Sequence, residues 1–493
     1  MRPWRWPGSR REPRTPTRPR LVKLRSSRWF ILFVVAFAAS TDIFLYGLIV
    51  PVAPTALEQR VGIAKKDIQP WTSTLLALYA AALLAFSPIS GYVADRFESR
   101  RLPMLAGLVA IGGATALLCV GTNIGLWIAG RLFQGAAGAV VWTVGVALMV
   151  DTVGKEGLGQ AIGSVSLSLT LGTLAGPLLG GVLYEDGGYY AVFGLAFGLL
   201  ALDVFLRLVL IEKKDARKWL EDEKEQSAEP GKVEKPLAEA TPAPETPETA
   251  HDTQSDTQPV APKRRPFGRL AVLLSSSRLI VSLWGYFVLS LVLSSLDSVL
   301  PIFVQETFGW QQAGQGLIFV PCMVPHVLDP LVGYIIDRYP KTPRYLTSAG
   351  FFCCLPLMVL LRLVKENTMH DKILLCALLA LIGCCIALTM TPLVTEVSLA
   401  VKEKEEISPD IFGRGGAMAL AFGLSNMGFA AGNLIGPFFA GFIRKEAGWG
   451  TMGWALGLLV GVSGVPSLLI MGGWIMRKPK PQVESPSAPG ISS

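Results

Sequence analysis

The sequence predicts an all-α membrane protein: twelve transmembrane helices in two six-helix halves related by pseudo-twofold symmetry. Three observations carry this expectation. Hydrophobic residues are 51% of the 493 and charged residues only 17%, with a mean hydropathy of +0.46, which is too apolar for an ordinary soluble domain and too long for a single span. Twelve segments reach the roughly 20 mostly apolar residues that crossing a bilayer needs. One phrase also occurs twice, 242 positions apart: Gly91-Tyr92-Val93-Ala94-Asp95-Arg96 and Gly333-Tyr334-Ile335-Ile336-Asp337-Arg338, each after a long apolar segment and ahead of further basic residues.

In chain order, residues 1–28 hold ten Lys or Arg against the single acid Glu12. Pro3, Pro7, Pro13, Pro16 and Pro19 would break the amphipathic helix of a transit peptide, so a disordered cytoplasmic arm near anionic lipid is expected. The N-terminal bundle covers 29–211, with spans at 29–51, 69–92, 102–121, 123–149, 158–183 and 189–211. A segment of different character follows at 212–275, rich in Pro, Glu, Thr and Lys, which cannot bury enough apolar surface to order itself and reads as a disordered cytoplasmic linker. The C-terminal bundle covers 276–476, with spans at 279–304, 313–336, 345–364, 372–395, 414–443 and 450–476, ahead of a cytoplasmic tail at 477–493. The halves also repeat Pro51 as Pro301, and Gly176-Pro177 as Gly436-Pro437, at offsets of 250 and 260. Internal Gly and Pro suit a membrane bundle, where neighbouring helices re-satisfy freed backbone groups and small residues permit close approach.

Orientation follows from Lys and Arg. They gather in the arm and after spans 2, 8, 10 and 12, which places those loops and both termini in the cytoplasm, with the turns at 184–188 and 305–312 outside. The formal charge of +8 is then a topology signal, and nucleic acid is not an expected partner. All seven cysteines lie in or at the edge of apolar spans without a CxxC pair or a nearby His, so they read as small core residues; no metal and no cofactor is expected.

The loop after span 2 supplies Gly91, Asp95, Arg96, Arg100 and Arg101, and its second copy supplies Gly333, Asp337 and Arg338. A glycine lets helix ends meet, an acid suits a helix N-terminus, and the basic residues can hold the cytoplasmic face shut. Asp151, at the cytoplasmic end of span 4, is a partner for Arg96 or Arg100. Span 4 contains Arg131 and Gln134, and an arginine within a span is functional by default because of its cost. Asp42 in span 1 lies about 20 Å from the cytoplasmic end and Arg131 about 12 Å from the outer end, similar depths in a core about 30 Å thick. The hypothesis is that Asp42 alternately meets a proton, Arg131 or a cationic substrate; a fixed structural ion pair is the competing reading. Span 5 reads Gly172, Gly176, Pro177, Gly180 and Gly181, a bendable, leak-tight seam.

The doubled loop and six-plus-six layout resemble the major facilitator superfamily from about residue 29 to 476. Its loop motif is matched by Gly91, Asp95, Arg96, Arg100 and Arg101, its R-x-x-Q-G motif by Arg131, Gln134 and Gly135, and the element of its exporters by Gly172, Gly176, Pro177, Gly180 and Gly181. More narrowly the chain resembles the twelve-span drug:proton antiporters, including the vesicular amine transporters and their fungal relatives. That resemblance implies a proton-coupling or substrate role for Asp42, Arg131 and Asp297. Departures are Tyr79 in place of a span 2 lysine, and Ala387 and Asn426 in place of acids in spans 10 and 11, so proton antiport is implied and monoamine specificity is not.

Of the remaining charges, Asp203 and Arg207 are spaced to pair locally, Glu396 and Arg414 read as snorkelling flanks, and His326 with Asp329 as either a proton relay or a satisfied core histidine. Tyr46, Gln134, Trp142, Trp284, Phe287 and Asn426 are candidates to line a cavity. The expected function is a monomeric, multi-pass secondary transporter in the plasma or a vacuolar membrane, in which protons drive a small organic molecule out of the cytoplasm: a drug, an amine-like compound or a secondary metabolite. A proton-coupled importer or facilitator of a nutrient is the alternative, and a non-transporting membrane sensor the alternative from another class. No P-loop or catalytic constellation points to an enzyme.

Overall fold

Backbone groups surrounded by lipid must bond within their own segment. In the computed structural model all regular structure among the described residues is accordingly helical; these are 21–97, 99–154, 157–212, 216, 268–310, 312–339, 341–408, 411, 412 and 416–474. Most of the arm, linker and tail read from the sequence, and Arg414, lie outside them. Among the described residues ten helices are long and apolar enough to cross a membrane.

The helices are α1 (Arg28–Ile49), α2 (Lys65–Ala94), α3 (Arg101–Val120), α4 (Ile124–Val153), then Leu158–Val209, which bends at Gly188 into α5 and α6. Next come α7 (Ser277–Phe308), the broken helix α8 (Gly314–Arg338), α9 (Thr342–Leu360), α10 (Met369–Ile407), and Met418–Ile470, which bends at Gly448 into α11 and α12. A straight 52-residue helix would run about 78 Å, more than twice a hydrocarbon core of about 30 Å. Gly188 (φ 73°) and Gly448 (φ 85°) take the left-handed conformation that reverses the chain, a geometry a side chain would strain.

Local signals explain the starts. Ser27, Asn123 and Thr368 accept the amides of Phe30, Leu126 and Asp371, capping α1, α4 and α10. The residues before α5 and α11, Gly157 and Ala417, offer no side-chain cap. Pro321, Pro325 and Pro330 cannot donate to a helical ladder, and α8 breaks there into Val320–Met323, a 3₁₀ turn at Val324–Leu328 and Asp329–Arg338.

Close packing is set by glycines. Gly172 and Gly176 of α5 rest on the Ser40 and Phe44 carbonyls of α1, where an added Cβ would lie 2.6 and 2.7 Å from those oxygens, and Gly180 rests on the Leu48 carbonyl. Pro177 Cδ approaches Gly47, while Gly181 faces open space. The element is therefore the α1–α5 seam, without Gly181. All seven cysteines are free. The expected Asp203–Arg207 pair does not form. Both are buried, neither carboxylate oxygen of Asp203 has a partner in the protein, and Arg207 Nη2 turns instead to the Arg100 carbonyl at 3.1 Å.

Candidate functional site

Two arrangements combine into a candidate site: a latch at the end of the bundle that carries the doubled loops, and a buried polar cluster nearer its middle. In the latch, α2 packs against α11 and α8 against α5. Asp95 Oδ1 and Oδ2 accept the amides of Ala419 and Leu420 at 3.1 and 2.9 Å, and Asp337 Oδ1 and Oδ2 accept those of Gly159 and Gln160 at 2.7 and 2.9 Å. Each loop aspartate thus caps, from the opposite half of the chain, a helix that has no cap of its own. The glycines make this approach possible. A Cβ on Gly91 would lie 2.8 Å from Leu420 Cα, and one on Gly333 2.7 Å from the Gln160 amide nitrogen. Gly423 and Gly163 return the contact against Ser87 and Asp329. Asn426 Nδ2 donates to Ser87 Oγ at 2.8 Å, and Lys402 Nζ to the Gly154 carbonyl at 2.9 Å, adding further bonds between the halves.

Arg100 orders the first loop. Its Nη2 meets Asp95 at 3.0 Å, its Nε meets Asp151 at 3.3 Å and its Nη1 donates to the Ala94 carbonyl, which selects Arg100 over Arg96 as the partner of Asp151. Burial pushes the Asp95 carboxyl above its ordinary value, and Arg100 with the Leu420 and Ala419 amides pulls it back. Arg96 is exposed and lies over the Tyr92 ring, its carbon 4.5 Å from the centroid; Arg101 donates to the Leu208 carbonyl, and Arg338 is exposed.

The middle cluster gathers α1, α2 and α4. Asp42 is buried, and its Oδ1 has no partner in the protein. The buried Tyr79 hydroxyl adjoins the Asp42 carboxylate over Gly138, where a Cβ would lie 2.9 Å from Asp42 Oδ2 and 3.2 Å from Tyr79 Oη. The Tyr46 and Tyr79 rings are 4.7 Å apart. Arg131, fully buried, holds its guanidinium carbon 5.6 Å from the Tyr46 ring centroid and donates Nη1 to Gln134 Oε1 at 3.0 Å, leaving Nε and Nη2 without partners. No ion pair joins Asp42 to Arg131; the two tyrosines stand beside both. Asp297, on α7, is open to solvent and within electrostatic reach of Tyr46 on α1 and Cys322 on α8.

Residues 28–408 match the Major Facilitator Superfamily. The chain belongs to that superfamily. An uncharacterized transporter of this superfamily from Schizosaccharomyces pombe is 34% identical over 86% of this chain and 92% of its own. A probable vesicular acetylcholine transporter of Danio rerio is 24% identical over 90% and 79%. The crystal structure of the human organic anion transporter MFSD10 (TETRAN) superposes with a TM-score of 0.62, covering 89% of this chain and 99% of that one; at 16% identity this shows the shared fold.

Against that family frame, several residues stand elsewhere than the sequence suggests. Asn426 is a bridge in the α2–α11 seam and not a cavity wall, and Trp284 is 41% exposed with Nε1 donating to Ser463 Oγ on α12 at 2.9 Å. Trp142 is half-buried in the α4 packing. Glu396 is no exposed flank: it is buried, and its Oε1 accepts both Arg278 Nε and the Gly472 amide at 2.6 Å. Sequence reasoning missed Tyr79 and Gly138 as neighbours of Asp42, and missed Gly159, Gly163 and Gly423. A signal existed for the last three, since Gly159 and Gly163 are one turn apart at a helix start.

Proposed function

We propose that the protein is a proton-coupled antiporter of twelve spans in two six-helix halves, exporting a small organic molecule by alternating access, with both termini and the latched end in the cytoplasm. The observation that carries this reading is the buried carboxylate of Asp42, which has no cation beside it among the described residues and whose Oδ1 has no partner. An acid kept within a membrane span without a fixed cation is costly unless it exchanges partners. A proton neutralises it, and a cationic solute entering beside Tyr46 and Tyr79 would displace that proton. Asp297 and Arg131 supply further charge on either side of the same space. The latched α2–α11 and α5–α8 contacts support an outward-facing state, in which Asp42 would load from outside. The span 5 element, and the likeness to a vesicular acetylcholine transporter, favour export of a drug, an amine-like compound or a secondary metabolite over uptake.

The test is flux in inside-out vesicles, screened with metabolites that differ between cells with and without the protein. Accumulation that depends on an imposed proton gradient supports antiport. Equilibration that ignores the gradient makes the protein a facilitator, and no flux for any screened solute removes the transport reading.

A further inference from the structure

The two halves of the latch correspond position for position. Gly91 and Asp95 correspond to Gly333 and Asp337 at an offset of 242, and their contacts at Ala419 and Gly423 correspond to Gly159 and Gly163 at an offset of 260. One neighbouring place breaks the match. Where α2 has Leu84 and Ser87, α8 has His326 and Asp329 at the same offset of 242. His326 Nδ1 lies 3.0 Å from Asp329 Oδ2, His326 is 3% exposed and Asp329 0%, and Asp329 Oδ1 has no partner in the protein. The pair straddles the proline-broken stretch of α8 and lies in the seam itself: Gly163 of α5 packs on the Asp329 carbonyl, and a Cβ there would meet Pro330 Cα at 2.9 Å.

We infer that His326 and Asp329 form a second proton-binding site, holding one proton while the α5–α8 seam is closed and releasing it when the seam parts. The inference rests on the reading that this seam opens during transport, and its test separates the two.

Charge balance supports it. Residues 158–184 of α5 and 373–395 of α10, which pack against this part of α8, carry no charged side chain, and Glu396, next along α10, is held by Arg278. Of the other acids of this region, Asp337, eight residues on, is occupied with the α5 amides, and Asp297 of α7 acts electrostatically on Cys322, one turn before His326. Among the described residues no cation offsets a bare Asp329 carboxylate beside neutral imidazole in this dry place. One bound proton makes the pair neutral overall, whether imidazolium faces carboxylate or imidazole faces carboxylic acid. Parting the seam admits water, which solvates the bare carboxylate, removes that need and lets the bound proton leave. The closed seam then binds more protons than the open one, so acid favours closure and the advantage is lost as pH rises.

Hydrogen exchange of peptides covering 157–165 and 324–338, in the full-length protein in lipid nanodiscs between pH 5.5 and 8.5, reads this directly when labelling times are scaled for chemical exchange. Seam opening in the unmodified protein should rise with pH by up to about tenfold per unit, the limit for one linked proton. Because a lone buried Asp329 threatens folding, the first variant to examine is the double substitution His326→Gln with Asp329→Asn, which remains neutral and can still hydrogen-bond. It should open to an extent independent of pH, while Ser87→Ala in the other seam changes the extent and keeps the pH midpoint. A double variant that opens with the midpoint and slope of the unmodified protein overturns the proton site and leaves the transport reading intact. A seam shut at every pH in both proteins overturns the opening motion and this site with it.

Discussion

The α2–α11 and α5–α8 seams are two copies of one contact, and comparing them separates what closes the protein from what gives it chemistry. Their shared parts are mechanical: a glycine that lets one helix lie on another's backbone, and an aspartate that caps the facing helix from across the interface. The parts not shared are ionisable. His326 and Asp329 have Leu84 and Ser87 as counterparts, and Asp42, at the offset of 250 that relates Pro51 to Pro301, has Val292. The repeated contact sets the shape, and the departures from it carry the ionisable side chains.

The comparison breaks most readily at the glycines. Gly333→Val should force the α5–α8 seam open, because the new side chain meets backbone, which cannot move aside as a flexible side chain does. Overpacking of this kind costs about 1–3 kcal/mol, or roughly 5- to 150-fold in the ratio of closed to open protein. Hydrogen exchange at 157–165 should rise by that factor, and Gly91→Val should do the same at residues 417–423. Equal effects confirm the seams as mechanical equals, whereas an effect confined to one makes the other the hinge. A smaller loss is expected from Asp95→Asn and Asp337→Asn. Each weakens a charged cap worth about 0.5–2 kcal/mol, and the double variant should approach the sum because the two caps share no partner. Asp95 should show the larger cost of the two, since its change also takes from Arg100 one of its two carboxylate partners. Least of all should follow from Arg96→Gln, below about 0.5 kcal/mol, because Arg96 is exposed and touches only its own helix.

Much of the fold was legible in the sequence because lipid leaves a chain few choices. Apolar segments of about 20 residues and the Lys and Arg that end them marked most helix ends to within a few residues, although α10 runs on past 395 to Ile407. The break in α8 was not marked, although Pro321, Pro325 and Pro330 announced it, because prolines inside membrane helices are often tolerated. In the site, the acids and Arg131 could be found one by one, since a charge in a span is rare. Their pairing could not: Asp42 and Arg131 have similar depths along their helices, but depth says nothing of rotation, and Tyr46 and Tyr79 stand beside them instead. Asn426 and Trp284 show the same limit, as their types suit a cavity while their helix faces point to a seam and to α12.

The role of Asp42 is tested most directly by Asp42→Asn in proteoliposomes, measuring gradient-driven accumulation and gradient-free counterflow of the same solute. The amide keeps the side chain's size and cannot exchange a proton. Accumulation should fall to the level of protein-free vesicles while counterflow persists. Undiminished accumulation would contradict the coupling role, and would return Asp42 to an ordinary buried polar residue of α1.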